Sequence, residues 1–142
     1  MMTLTGGCQC GKVLFVVADA PTATELCHCS MCRRAVGNIH MASVSVARTD
    51  IAWEGKAATY ASSPIATRGF CGHCGTPLWF GYNDSARIDV MAGAIDQADL
   101  LRPASHFGVE ARLDAFRQLD GLPEAQTEDE PRIMERWRQA GQ

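Results

Sequence analysis

The sequence predicts a mostly β fold, a sandwich or barrel of short strands with one helix near the C-terminal end. Short runs rich in β-branched and aromatic residues alternate with Gly, Pro, Asn and Asp, which is typical of strands joined by turns. A clear helical pattern occurs only over residues 129–140. The 142 residues suit one domain with its own core, so we predict a single domain over residues 1–142.

The first predicted strands lie in the N-terminal half. Val13–Val17 is an apolar run that follows a glycine. Val44 and Val46 alternate with a serine, as in a strand with one buried face. Ile51 and Trp53 repeat this spacing shortly before a glycine, so a third strand is expected there.

A hairpin is predicted further along the chain. Leu78–Tyr82 and Arg87–Met91 are strand-like, and the turn-forming sequence Asn-Asp-Ser at residues 83–85 separates them. Ile88 and Val90 alternate with an arginine and an aspartate. One face of this hairpin is therefore expected to be buried and the other to meet water.

Two segments suggest helix. Asp96–Leu101 could form a short one, and residues 129–140 a longer one. In the longer segment Asp129 could be the N-cap, and Pro131 falls in the first turn, where its missing N–H costs little. Three apolar residues share one face, which we expect to dock on the sheet: Ile133, Met134 and Trp137.

The composition excludes several classes of function. The formal net charge is -3, and 46% of the residues are hydrophobic, an ordinary globular balance. No long basic run or long apolar stretch occurs, so neither nucleic acid nor a membrane is an expected partner. Residues 1–7 lack the features of a signal peptide, and we predict a cytoplasmic protein. The oligomeric state stays open.

Seven cysteines are the exception to this ordinary composition. An odd number cannot all form internal disulfides, and thiols in a reducing compartment stay free, bind metal or do chemistry. They fall into three groups, which are Cys8 with Cys10, then Cys27, Cys29 and Cys32, and finally Cys71 with Cys74.

Two of these groups can together form a closed zinc site. Residues two apart on an extended chain point to the same side, so Cys8 and Cys10 can share a metal. Cys71 and Cys74 can reach one metal across a tight turn, and Gly75 permits the positive φ that such a turn often needs. Four thiolates complete the shell of a structural zinc. Spacing alone would also allow a different set, in which Cys27 and Cys29 share a metal with Cys71 and Cys74.

The three remaining cysteines leave one position of a tetrahedron open. Cys27, Cys29 and Cys32 could therefore hold a catalytic zinc that binds a thiol as its fourth ligand. Two alternatives remain. Cys29 and Cys32 form a CxxC, which could be a redox pair, or His28 could complete a second structural site. A residue between two ligands on the same side should point away from them, and we expect His28 at the surface.

The cysteine motifs resemble the glutathione-dependent formaldehyde-activating enzyme family, also called the Gfa or CENP-V/GFA family. The matching runs are GCQCGKVLF, CHCSMCRRAVG and FCGHCGTPLWF. The segment DLLRPASHFGVEARLDAFRQLDGLP, with Pro103, His106 and the sequence of residues 120–123, is similar to the family's closing segment. All seven cysteines fall on the family pattern. One departure is Phe116, where family members often carry a tryptophan.

The resemblance implies an Mss4-like β-sandwich with a core over about residues 6–123, followed by a helical tail at 127–141. It implies a structural zinc and a catalytic zinc, and the reversible addition of glutathione to formaldehyde, a carbon–sulfur lyase reaction. A related small aldehyde is also a candidate substrate. The structural ligands implied are Cys8, Cys10, Cys71 and Cys74, and the catalytic ligands are Cys27, Cys29 and Cys32.

Glutathione carries two carboxylates, and its binding requires cationic side chains. Arg33 and Arg34 follow the third catalytic cysteine directly and are our candidates. Arg68 and Lys12 are further possibilities that the sequence does not place near the site. The alternative function is a non-catalytic zinc module that binds a protein or a small thiol.

Overall fold

The computed structural model describes residues 1–142 and places eleven strands in two sheets, with two α-helices. The mostly β prediction is therefore confirmed. The strands are β1 (Met2–Gly7), β2 (Leu14–Ala20), β3 (Ala23–Cys27), β4 (Met41–Ala47), β5 (Ile51–Glu54), β6 (Ala58–Ser63), β7 (Ala66–Phe70), β8 (Pro77–Tyr82), β9 (Arg87–Met91), β10 (Arg102–Phe107) and β11 (Glu124–Ala125); the helices are α1 (Ser30–Val36) and α2 (Pro131–Gln139).

The smaller sheet has the order β1-β2-β5 and is antiparallel. Its middle strand follows the alternation in its sequence, because Phe15 and Val17 are buried while Leu14 and Val16 are exposed. Phe15 also meets the ring of Trp53 edge-on at 5.3 Å between centroids. The buried face of this sheet belongs to one hydrophobic core that it shares with the larger sheet.

The larger sheet has the order β11-β10-β3-β4-β9-β8-β7-β6. The predicted hairpin forms β8 and β9, which pair antiparallel. Strand β10 pairs parallel with both β3 and β11, a feature that the local sequence pattern did not reveal. This pairing sets Phe107, the last residue of β10, beside Cys27, the last residue of β3. It therefore determines the position of Cys27, which is one of the candidate metal ligands.

Helix α1 was not predicted from the sequence. It has only seven residues, and the thiol of Cys29 acts as its N-cap by accepting a hydrogen bond from the N–H of Cys32. Gly37 ends it in the left-handed conformation, with its N–H donating to the carbonyl of Arg33. The segment is too short for a periodic apolar pattern, so only these two ends could have signalled a helix.

Helix α2 matches the predicted C-terminal helix. Its N-cap is Glu130, which accepts from the N–H of Arg132, and not Asp129 as we expected. Ile133 is buried, but Met134 is 43% exposed, so the predicted apolar face is narrower than the sequence suggested. The short helix expected at 96–101 is only a 3-10 turn over Ala98–Leu100. Neither α-helix is long and apolar enough to cross a membrane.

Gly69 allows a close approach between strands β7 and β8. A Cβ atom on Gly69 would lie 2.0 Å from Nε1 of Trp79, which covers the strand. Strand β7 carries Arg68 and leads directly into Cys71. Because Gly69 has no side chain, the ring of Trp79 can pack directly on strand β7, which carries Arg68 and precedes Cys71.

We predict that Gly69→Ala lowers the free energy of unfolding by about 1–3 kcal/mol, because the new methyl group must displace the indole ring. Chemical denaturation measures this. Gly93→Ala is the matched control, since nothing lies within 4 Å of a Cβ at that position, and it should change stability by less than about 0.5 kcal/mol. Equal losses in the two variants would contradict the packing argument.

Candidate metal centres and the adjoining cavity

Two clusters of cysteine sulfur atoms could each hold a metal ion. Within each cluster the sulfur atoms lie within 4.8 Å of one another. The four-cysteine cluster consists of Cys8, Cys10, Cys71 and Cys74, and the three-cysteine cluster consists of Cys27, Cys29 and Cys32. The alternative in which Cys27 joins the Cys71 pair is wrong, because the fold places these residues in separate clusters.

Two tight turns build the four-cysteine cluster. Cys8 follows β1 and Cys71 follows β7, so the sulfur atoms sit where the loops of the two sheets meet. The N–H of Val13 donates to the sulfur of Cys8, and the N–H of Cys74 donates to that of Cys71. Gly75 has φ +81, the positive value that the sequence predicted for this turn.

The sulfur separations in this cluster fit one small metal ion. The sulfur of Cys10 lies 3.5 Å from that of Cys8 and 3.7 Å from that of Cys71. Four thiolates at about 2.3 Å from a central zinc ion would be about 3.8 Å apart. A disulfide needs about 2.05 Å between sulfur atoms, so these cysteines are free thiols. The donor set and spacing therefore suit a closed tetrahedral site.

The three-cysteine cluster forms where β3 gives way to α1. Cys27 ends the strand, Cys29 caps the helix, and Cys32 lies in its first turn. The N–H of Cys32 donates to the sulfur of Cys29 at 3.3 Å. Gly108, which follows β10, has φ +65, and a Cβ there would lie 3.0 Å from the backbone N of Cys29. The strand pairing and this glycine together bring the three thiols to one point.

The electrostatics of the three thiols call for a cation between them. Hydrogen bonds from Cys27 and Cys32 lower the pKa of the Cys29 thiol to about 2. The same contact with Cys29 raises the pKa of the Cys27 thiol, and burial raises it further. Without a cation, one thiolate forms at the expense of the others. A divalent ion would allow all three thiols to ionise, because each thiolate would then bond to a positive charge and not face only its negative neighbours.

A cavity of about 250 Å³ adjoins the three-cysteine cluster, and all three of its cysteines line it. Three acidic residues also line the cavity, Glu25, Asp89 and Glu130. Partial desolvation raises the pKa of the carboxyls of Glu25 and Asp89, and the charge of Asp89 adds to the effect at Glu25. The rest of the wall is mostly apolar and includes Met41, Ile65, Phe80, Phe107, Ile133 and Trp137.

Helix α2 supplies one wall of this cavity through Ile133 and Trp137. Its position is fixed by Arg136, whose Nε lies 2.7 Å from a carboxylate oxygen of Asp84 and whose guanidinium stacks 4.1 Å from the ring centre of Tyr82. The C-terminal segment, which the sequence indicated only as a helix docked on the sheet, thus forms part of the wall of the cavity that the three cysteines also line.

Arg68 also lines the cavity. Its side chain is 5% exposed, and its Nη2 donates to the sulfur of Cys32 at 3.3 Å. Its Nε donates to Oγ of Ser62 at 2.7 Å, and its guanidinium lies 4.7 Å from the ring centre of Phe80. The sequence offered Arg68 as a possible cation without a position. The fold places it in direct contact with a candidate metal ligand.

His28 is buried, contrary to the surface position that we expected. Its Nε2 lies 2.8 Å from Nδ1 of His106, and Nε2 of His106 lies 2.9 Å from Oδ2 of Asp120. Burial lowers the pKa of His28 to about 4, so at neutral pH the ring is uncharged. No histidine belongs to the three-cysteine cluster, and the alternative in which His28 completes a second structural site is therefore wrong.

Arg33 and Arg34, the candidates for glutathione carboxylates, lie on α1 beside the cluster. The Nε of Arg33 donates to the carbonyl oxygen of His28 at 3.2 Å, and the side of the helix that carries Arg34 is exposed. Neither lines the cavity. Lys12 is distant from this site, because its Nζ lies 3.3 Å from Nδ1 of His73 in the turn of the four-cysteine cluster.

Comparison with known proteins gives three findings. The profile of the glutathione-dependent formaldehyde-activating enzyme family, GFA, matches residues 3–111. A Schizosaccharomyces pombe protein described as an uncharacterized lyase is 32% identical over 79 residues, which span 56% of this chain and 58% of that protein. A crystal structure of a Rhodobacter sphaeroides protein covers 85% of this chain and 98% of its own at 20% identity, with a TM-score of 0.48.

We predict that Trp137→Ala opens the cavity and makes Cys29 react several-fold faster with a small alkylating reagent, because the indole ring forms part of the wall. Mass spectrometry after timed alkylation identifies the modified cysteine. Met134→Ala is the matched control, since Met134 lies on the same helix but does not line the cavity. Equal alkylation of Cys29 in the two variants would show that α2 does not restrict access.

Proposed function

This chain belongs to the glutathione-dependent formaldehyde-activating enzyme family, and from that premise we propose that it is a zinc-dependent carbon–sulfur lyase. The proposed reaction joins the thiol of glutathione to formaldehyde, or to a related small aldehyde, and forms S-hydroxymethylglutathione. The proposed cofactors are one structural zinc on the four-cysteine cluster and one catalytic zinc on the three-cysteine cluster.

One observation carries this proposal. The three-cysteine cluster has no fourth protein ligand, and all three of its cysteines line the cavity. Structural zinc sites have four protein ligands, whereas catalytic sites keep a position open for substrate or water. The contrast with the closed four-cysteine cluster within the same chain supports different roles for the two centres.

The ligand chemistry favours a thiol as the substrate at the open position. Three thiolates leave a zinc ion with a net negative shell, which makes it a weaker Lewis acid than zinc bound by neutral histidines. Such a centre would activate water poorly, but it suits a soft sulfur ligand. This reasoning agrees with the glutathione dependence for which the family is named.

When bound, the catalytic zinc would accept the substrate sulfur and lower its pKa, which supplies a thiolate at neutral pH. The residues of the chain have two proposed roles, which are to bind the metal and to exclude water. Cys27, Cys29 and Cys32 hold the centre, and the apolar wall that includes Phe107 and Trp137 excludes water from the reacting atoms. A thiolate held there would attack the aldehyde carbon, and the resulting alkoxide oxygen would take up the proton that the thiol had released.

Recognition of glutathione requires groups for an ammonium and two carboxylates. Glu25 lies in the cavity wall and suits the ammonium group. Arg33 and Arg34 remain our candidates for the carboxylates, because they follow Cys32 directly on α1, although neither lines the cavity itself. The proposed compartment is the cytoplasm, where seven free cysteines would stay reduced.

We predict that Cys29→Ser reduces turnover of glutathione and formaldehyde to the spontaneous rate. The variant should hold one zinc per chain, because the four-cysteine cluster stays intact. NMR exchange between labelled formaldehyde and its glutathione adduct measures the rate, and elemental analysis measures the metal.

The control for this experiment is Ser30→Ala, which changes the neighbouring exposed residue and should leave turnover unchanged. Turnover in Cys29→Ser at the wild-type rate would contradict the catalytic role of the cluster. A wild-type protein that binds zinc but never exceeds the spontaneous rate would instead favour the non-catalytic zinc module.

A further inference from the structure

We propose that Arg68 is the counter-ion of the three-cysteine cluster, a positioning residue that neutralises the negative charge of a three-thiolate metal centre and fixes Cys32 as a ligand. The inference rests on the proposed function in that the cluster must hold a divalent ion. It goes beyond that function because it assigns a role to a residue outside the cysteine motifs.

The first argument is the burial of Arg68 without an acidic partner. Its side chain is 5% exposed, and none of the five ion pairs in the protein includes it. A buried charge is strongly destabilising unless an opposite charge or sufficient hydrogen bonds compensate for it. Asp89 lines the same cavity, and the charge of Arg68 acts to lower the pKa of its carboxyl, but the two do not form an ion pair. Direct compensation of the guanidinium therefore requires a closer group.

The second argument is the contact with Cys32. Nη2 of Arg68 donates to the Cys32 sulfur at 3.3 Å. The guanidinium has its other named contacts with neutral groups, namely the hydroxyl of Ser62, the thioether of Met41 and the ring of Phe80. Among these contacts, only the cysteine can carry negative charge. The geometry therefore pairs the guanidinium with the cluster and not with a carboxylate.

The third argument is the balance of formal charges. Three thiolates around a divalent ion leave one negative charge, and one guanidinium cancels it. A nearly neutral centre can then accept the sulfur of a thiolate substrate without net repulsion. The arginine would thus support both the binding of the metal and the use of its open position.

The four-cysteine cluster provides a contrast inside the same molecule. There Cys10 is exposed, and the nearest named cation, Lys12, contacts only the exposed His73. Water screens a charged centre at the surface far better than one in the interior. Each cluster contains two buried cysteines, but only the four-cysteine cluster has an exposed one, Cys10, through which water can screen its charge. The three-cysteine centre therefore depends more on a counter-ion supplied by the protein.

The test measures zinc affinity at both clusters in Arg68→Gln and Arg68→Lys, by competition with a chromophoric chelator. The four-cysteine cluster serves as the internal reference in each variant. Arg48→Gln is the control, because Arg48 also stacks on an aromatic ring, at 5.6 Å from the centre of Trp79, but does not line the cavity. Absorption of the cobalt-loaded proteins reports on the sulfur–metal bonds directly.

We expect Arg68→Gln to weaken zinc binding at the three-cysteine cluster by about 10- to 100-fold, the usual effect of removing a partner of a metal ligand. Its sulfur-to-cobalt absorption band should shift, and the four-cysteine cluster should keep its affinity. Arg68→Lys, which keeps the charge, should lose less than about tenfold. Arg48→Gln should match the wild type at both clusters.

Wild-type affinity at the three-cysteine cluster in Arg68→Gln would overturn the proposal, as would an equal loss in Arg48→Gln. If Arg68→Gln does not fold, Arg68→Lys decides, because a loss of about 100-fold with the charge retained contradicts the counter-ion role. Absence of zinc from this cluster in the wild type would also overturn it. Zinc binding that depends on Arg68 without glutathione turnover would refute the proposed function alone.

Discussion

The meeting of sulfur atoms from distant parts of the chain is the constraint on which the rest of the structure depends. Cys8 and Cys10 follow the first strand, whereas Cys71 and Cys74 join two strands of the other sheet. A metal ion bound by all four would link the two sheets across a loop of about sixty residues, and its binding energy would add to the stability of the fold. The backbone N–H groups aimed at these sulfur atoms suit thiolates.

The three-cysteine cluster uses the same ligand chemistry in an open form. Its position depends on the parallel pairing of β10 with β3 and on the start of α1. Helix α2 forms part of the cavity wall, and it lies outside residues 3–111, the segment that matches the family profile. The proposed division of roles follows from this arrangement, because the closed cluster can only stabilise, whereas the open one can bind a substrate.

The sequence predicted the elements with local signals and missed those that depend on distant partners. The β8–β9 hairpin and helix α2 have turn residues, alternation or a first-turn proline that can be recognised locally. The short spacings divided the cysteines into three groups but left open which of them share a metal, and the family resemblance implied the two ligand sets. Helix α1 was missed because a thiol acts as its cap, and the parallel strand β10 because its partner is β3, far away in sequence. The burial of His28 and the position of Arg68 depend on tertiary contacts, which no local pattern encodes.

The most direct test of the account is the zinc content of freshly purified protein, measured by elemental analysis alongside protein concentration. The account predicts two zinc ions per chain, one for each cluster, with the ion of the three-cysteine cluster removed first by a chelator because it has one protein ligand fewer. Protein that is folded and active but contains no bound metal would contradict it.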